Sequence, residues 1–261
     1  MSAYSFLLRC IVLLLVSLAA ADAASLQCPR QDCAAHGGHD ALLHIMQQCL
    51  SEHDQGGLQC PCVALDTDGG KDRGYVLIKD CKGVAQFLLI PTATVTGIED
   101  PVLQRAGGPN YFALAWQNRS LVAQALGRPL GSDWLSLAIN PQHRRSQNQL
   151  HIHIDCLDGD VRRALKAAAG SMGDHWQTLP VLLKGHSYRG MRVMGDVLAL
   201  DPVAALFADL HQRGLENEMG EHGLLLTSMM FAGEPGFVIL DAEGSAAEEL
   251  QDHACADAGP E

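Results

Sequence analysis

Positive charge is scarce in this chain. Lys and Arg number 18 against 30 Asp and Glu, a formal net charge of −12 at pH 7. A field of that sign repels phosphate backbones, so nucleic acid is excluded as a partner. An anionic ligand would need a local cluster of donors. Long apolar runs are missing as well: the run from Cys10 to Ala21 falls short of the ~20 residues that span a bilayer. There is no Gly-rich strand-to-helix turn, internal repeat, low-complexity segment or interdomain linker. At 261 residues, 48% hydrophobic and 18% charged, the composition excludes disordered, collagen-like and coiled-coil chains and is enough for one sizeable core.

The N-terminus reads as a targeting segment. Arg9 closes a short basic region, Ile11 to Val16 is apolar, and Ala21-Asp22-Ala23 is a small-x-small cleavage pattern. Residues 1–23 are therefore a signal peptide or, if uncleaved, a membrane anchor, and 24–261 form one exported domain. Apart from Cys10, eight of the nine cysteines remain, an even number that suggests disulfides in an exported chain. Six crowd into residues 28–81. Cys156 and Cys255 stand apart, and their pairing would tie the C-terminus to the core. Cys28-x4-Cys33-x2-His36-x2-His39, with His44 following, has ligand types that zinc accepts but the spacing of no common finger.

Periodicity supplies the elements. Asp40 to Leu50 repeats as a helix. Gly74–Ile78 and Ala85–Ile90 read as a hairpin, and Pro109 to Gly127 as one long helix. Trp134–Asn140 and Gln147–Leu157 are expected strands. Asp160–Gly170 and the segment from Asp201-Pro202 to Gly214 are expected helices. Gly223–Met230 and Phe237–Asp241 form a second hairpin, and Ser245 to Glu248 is a capping box for a last short helix. The fold class is α+β, with a mostly antiparallel sheet and flanking helices.

Chemistry concentrates between Arg144 and Asp155. Strand alternation places Gln149, His151, His153 and Asp155 on one face, ~7 Å apart at each step, and Leu150, Ile152, Ile154 and Cys156 on the other. Three readings fit the pattern: a half-exposed edge strand with a wet polar face, a metal site completed by Asp155 or His143, and a catalytic face.

The run Ser146-Gln147-Asn148-Gln149-Leu150-His151-Ile152-His153-Ile154 resembles the signature strand of the histidine-triad (HIT) superfamily, where alternating histidines follow a loop bearing a phosphate-contacting Ser or Thr. More widely, the chain resembles the CDP-diacylglycerol pyrophosphatase family. The matching segments are Gly74 to Asp80, Leu89 to Thr92, Ala115-Trp116-Gln117, Ser136 to Asn140, Asp160-Val161-Arg162, Gly185-His186-Ser187-Tyr188 and Gln251 to Cys255. The resemblance implies a HIT-like fold that hydrolyses CDP-diacylglycerol to CMP and phosphatidate through a histidine nucleophile, with no metal or cofactor. It implies a membrane-surface enzyme on the periplasmic side of a bacterial inner membrane, or in the periplasm if the leader is cleaved. With Ser146 in the hydroxyl position, His151 is the central histidine, His153 the third, and Gln149 replaces the first. A two-residue shift makes His153 central and loses the hydroxyl. Ser146, Gln149, Asn140, Arg145, His186, Tyr188 and Arg189 are the candidate substrate-binding residues, each with an ordinary turn, loop or surface reading beside it. Trp116 reads as core. The alternatives are a hydrolase or transferase for another nucleotide pyrophosphate, and an exported zinc- or ligand-binding protein. Cleavage after Ala23 predicts that N-terminal sequencing of the exported protein starts at Ala24; a start at Met1 or Ser2 would mean a retained anchor.

Overall fold

Residue 28 and residues 38–104 and 107–260 are described by the computed structural model. The leader at 1–23, Cys33 and His36 lie outside them. Ten strands form one antiparallel sheet: β1 Cys62–Asp66, β2 Tyr75–Lys79, β3 Phe87–Pro91, β4 Leu135–Ile139, β5 Ile152–Leu157, β6 Gln177–Leu183, β7 His186–Met194, β8 His222–Phe231, β9 Glu234–Glu243 and β10 Gln251–Asp252. Their order is β1-β2-β3-β5-β4-β8-β9-β7-β6, with β10 pairing the end of β5. Five helices accompany it: α1 Ala41–Asp54, α2 Tyr111–Gln117, α3 Ser120–Leu126, α4 Gly159–Ala168 and α5 Pro202–Arg213. The α+β expectation with flanking helices holds.

Both faces of the sheet are covered, which is why β2 and β3 are apolar almost throughout rather than alternating. One face packs Leu77, Phe87, Leu89, Ile152 and Ile154 against Phe112 and Trp116 of α2 and Leu206 of α5. On the other face, α1 sets Leu42, Ile45 and Met46 on Val76, Ile78, Leu88 and Ile90. Further along that face, α4 sets Val161 and Leu165 against Leu225, Val238 and Leu240. Between these two apolar patches, the same face carries the alternate residues of β5: His153 lies opposite Leu88 of β3 and Ala138 of β4. The gap between α1 and α4 is where the polar strip sits.

Three expected elements differ. The long helix breaks into α2 and α3, because Asn118 closes the first: its N–H reaches Ala115 O and its Nδ2 donates to Leu114 O and the Tyr75 hydroxyl. The strand expected from Gln147 begins only at Ile152. Its lead-in is held by contacts to the 91–95 segment, including Leu150 N to Val95 O at 2.6 Å. The capping box is absent: Ala247–Leu250 is a 3-10 turn whose cap residue is Ala246 with no side-chain cap bond. Glu248 is drawn to other partners, described below. Strands β1, β6 and β7 were not foreseen. β6 is an edge strand whose register shifts between Thr178 and Leu182, and its Pro180 is tolerated there.

Cys156 and Cys255 are bonded, as expected, with Cα atoms 5.4 Å apart. Cys28 pairs with Cys60 and Cys49 with Cys62. The zinc spacing is thereby corrected: Cys28 has no thiolate to give. Among the described residues no helix is long and apolar enough to cross a membrane. The Cys156–Cys255 bridge spans 99 residues of sequence, so on loop-closure reasoning the Cys156→Ser/Cys255→Ser double variant should lose about 3–5 kcal/mol. Urea unfolding measures this; an unchanged midpoint would contradict it.

Candidate active site

Gln149, His151, His153 and Asp155 are 0%, 8%, 3% and 0% exposed. The wet-edge reading fails on that observation, since β5 is flanked by strands on both sides. A buried polar group needs a partner, and each of the four has one. Gln149 Nε2 donates to Pro91 O at 3.1 Å and Ala93 O at 2.9 Å. This holds the lead-in backbone, and the Gln149 carbonyl lies 2.8 Å from His151 Nδ1. A carbonyl only accepts, so Nδ1 carries the ring proton and Nε2 keeps its lone pair. Burial, opposed by that hydrogen bond, moves the His151 pKa below its ordinary value and keeps the ring neutral at pH 7.

The two imidazoles meet edge to face, their centroids 4.9 Å apart. His153 Nδ1 lies 2.5 Å from Gln86 Nε2. An amide nitrogen only donates, so Nδ1 accepts and the His153 proton sits on Nε2. That Nε2 is buried and has no hydrogen-bond partner among the described residues. Burial pushes the His153 pKa down to about 3.

Behind His153 stands a chain of ionised groups. Glu248 Oε1 is 3.5 Å from His153 Nδ1 and 3.3 Å from His253 Nε2. His253 Nδ1 in turn is 2.7 Å from Asp155 Oδ2. Asn140 clasps Glu248 twice, donating to Oε2 at 2.9 Å and accepting from its N–H at 3.1 Å. Burial alone would raise Glu248, but His153, His253, Lys82 and Asn140 outweigh it and hold the carboxyl below its usual range. Hydrogen bonds to Asp155 and then Glu248 raise His253 to about 10.

The rings open onto a cleft of about 210 Å³. Ser146 and Gln147 line one side, Lys79, Asp80 and Lys82 another, and Leu42, Ile45 and Leu88 supply an apolar wall. Ser146 lines the same cleft as His151 and His153. Asn140 serves Glu248, and Gln149 acts through its backbone. The other candidates are not brought to the cleft. Arg145 forms a two-pronged pair with Glu99, both bonds 2.7 Å. Tyr188 donates to Glu249 at 2.7 Å, Arg189 is paired with Asp209 and Asp241, and His186 is 3.9 Å from Glu249. All three lie on β7, with β4, β8 and β9 between them and β5. Trp116 is core, edge-on to Phe237. His143 lies against Gly244 O and Glu221. The metal reading finds little: among the described residues the grouping of three possible ligands is Asp155, Cys156 and Cys255, and both sulfurs are in the disulfide.

The sequence assigned no site role to His253, Gln86 or Lys82, and offered Glu248 only as part of a capping box. One signal was available for His253: pairing Cys255 with Cys156 brings it within two residues of a cysteine that adjoins Asp155.

Neutral imidazoles lining a cleft on a covered antiparallel sheet give this α+β protein the groups for nucleophilic or acid–base catalysis. The comparisons specify it further. The family model described as CDP-diacylglycerol pyrophosphatase matches residues 37–259. The CDP-diacylglycerol pyrophosphatase of Yersinia pestis is 39% identical over 223 residues, 83% of this chain and 84% of that protein. The chain belongs to the CDP-diacylglycerol pyrophosphatase family, which sets aside the zinc- or ligand-binding reading.

The shifted pKa values make stability pH-dependent. Between pH 6.5 and about 3 the unfolded chain binds a proton that native His153 refuses, so this contribution is whole above 6.5 and lost as pH falls. His253 works in the other direction: its contribution is whole below 6.5 and lost as pH rises through about 10. Calorimetry from pH 7 to 4 should show Tm falling in the native protein and falling less in His153→Asn. Parallel acid slopes would rule this out.

Proposed function

We propose that this chain hydrolyses the pyrophosphate bond of CDP-diacylglycerol to CMP and phosphatidate, with His151 as the nucleophile. Family membership supports the substrate. The observation that carries the nucleophile is the 2.8 Å contact of His151 Nδ1 with Gln149 O, which commits Nε2 to the lone pair. A neutral imidazole needs no base to activate it and is not held off by its own charge state. The Nε2 lone pair forms a bond to the CMP phosphorus, and the bond from that phosphorus to the bridging oxygen breaks. Phosphatidate leaves, and a cytidylyl-histidine remains. Water then attacks the same phosphorus, the N–P bond breaks, and CMP departs with His151 restored.

Charge on the transferring group must be met by donors already in place. His153 Nε2–H is one. A buried donor without a partner costs about 1–3 kcal/mol, and that cost is recovered when a phosphoryl oxygen arrives. Ser146 and the exposed Lys82 stand at the rim. The apolar wall from α1 and β3 suits the diacylglycerol side of the substrate, whose acyl chains place the reaction at a membrane surface. An exported chain would meet it on the periplasmic side. The shifted register is disfavoured because His153 Nδ1 meets an amide donor rather than a carbonyl.

CMP release from CDP-diacylglycerol micelles tests the reading. His151→Asn should lose at least about 10⁴-fold in kcat, as a nucleophile does. His153→Asn should lose about 10²–10³-fold, as an oxyanion donor does. A cytidylyl adduct should be found on His151 by mass spectrometry. If His153→Asn is dead and His151→Asn turns over, the nucleophile is His153. Equal turnover of soluble nucleotide pyrophosphates would broaden the substrate class.

A further inference from the structure

Glu248 and His253 come from a segment far from β5 in sequence, and the mechanism above leaves both unused. Their placement is nevertheless constrained from several sides. Cys255 is bonded to Cys156, the neighbour of Asp155, which fixes the segment against β5. β10 pairs Gln251 and Asp252 with Leu157 and Cys156. Gln251 Nε2 donates to Ser136 Oγ and O, at 3.0 and 3.2 Å. The result is a continuous row: Asp155, His253, Glu248, His153, with contacts of 2.7, 3.3 and 3.5 Å.

We infer that Glu248, locked by His253 and Asn140, is a positioning residue that accepts a hydrogen bond from the protonated Nδ1 of His153 when that ring becomes charged against the departing lipid phosphate. This rests on the assignment of His151 and His153 above. The chemistry follows from where the atoms are. His153 lines the cleft, its Nδ1 faces Glu248 and Gln86, and its buried Nε2 has no partner among the described residues. A substrate bearing two phosphoryl charges favours the protonated ring. Protonation at Nδ1 displaces the Gln86 amide donor, and the new N–H turns to the Glu248 carboxylate 3.5 Å away. The charged ring then passes its Nε2 proton to the oxygen of phosphatidate as the P–O bond breaks; the water that later attacks phosphorus returns a proton to Nε2, and the Nδ1 proton goes to solvent. His253 serves Glu248 rather than substrate. Pinned as a cation between Asp155 and Glu248, it keeps Glu248 ionised and turned toward His153. The charged or titratable groups acting on His153 are Glu248, which favours its protonated form, and His151, Lys82 and His253, which oppose it.

Those opposing signs give the test. In single-turnover release of phosphatidate, activity falls at high pH as His153 loses its proton in the substrate complex. Glu248→Gln removes the favouring charge, so this alkaline limb should move to lower pH by about one unit. kcat should drop about 100-fold, the lower end for a positioned acid–base group, with KM changed less than about twofold. Glu248→Asp should recover part of the loss. Lys82→Gln removes an opposing charge while leaving Asn140 and His253 on Glu248, and should move the limb to higher pH. A limb that stays in place in both variants, or moves the same way in both, overturns the inference, because a merely structural defect has no sign. NMR titration of the native protein gives a readout that needs no variant: the His253 ring should remain charged at pH 8, and a midpoint near 6.5 would also overturn the inference. If native protein releases no CMP, the functional reading has failed, while the titration still judges the Asp155–His253–Glu248 row.

Discussion

Four polar side chains on one buried face of a central strand and its lead-in set the terms for much of this structure. Each would cost about 1–3 kcal/mol if left unpaired, and more where charged, so other parts of the chain must come to them. Pro91 and Ala93 meet Gln149, Gln86 meets His153, and His253 meets Asp155. His151 is satisfied by the carbonyl that Gln149 steadies. These partners come from the β3 turn, the loop after β3 and the C-terminal segment. The loops therefore lie where they do partly because the strip needs them.

The same burial decides the chemistry. Apolar patches under α1 and α4 close the face on either side, and the strip between them is dry enough to keep both cleft imidazoles neutral near pH 7. Just behind, hydrogen bonds to carboxylates drive a third imidazole the other way. Three histidines of one residue type thus hold two charge states, set by desolvation in one case and by ion pairing in the other. A chain with a net charge of −12 still brings two cations, Lys79 and Lys82, to line this cleft.

Much of the fold was legible because it rests on local pattern. The continuous apolar runs of β2 and β3, the Asp201-Pro202 start and Gly214 stop of α5, and the β8–β9 hairpin all carry their own signals. Where expectation failed, a tertiary contact had displaced a local preference. Asn118 stops α2 by reaching Tyr75, and Glu248 abandons a capping role for Asn140 and His253. β7 alternates weakly, and its Tyr188 and Arg189, candidates for substrate binding or for an ordinary surface loop, are occupied by Glu249, Asp209 and Asp241.

By itself the sequence determined that Gln149, His151, His153 and Asp155 share a side and that Ser146 precedes them, and it pointed to the Cys156–Cys255 bridge that the structure contains. Side-chain alternation and cysteine economy are properties of the chain itself. Only the tertiary structure decided that this side is buried, which nitrogen of His151 is free, and that Glu248 and His253 stand behind His153. A buried polar group takes its partner from whatever segment crosses it in space. For His253 and Asp155 that segment lies 98 residues away, beyond the reach of any periodicity.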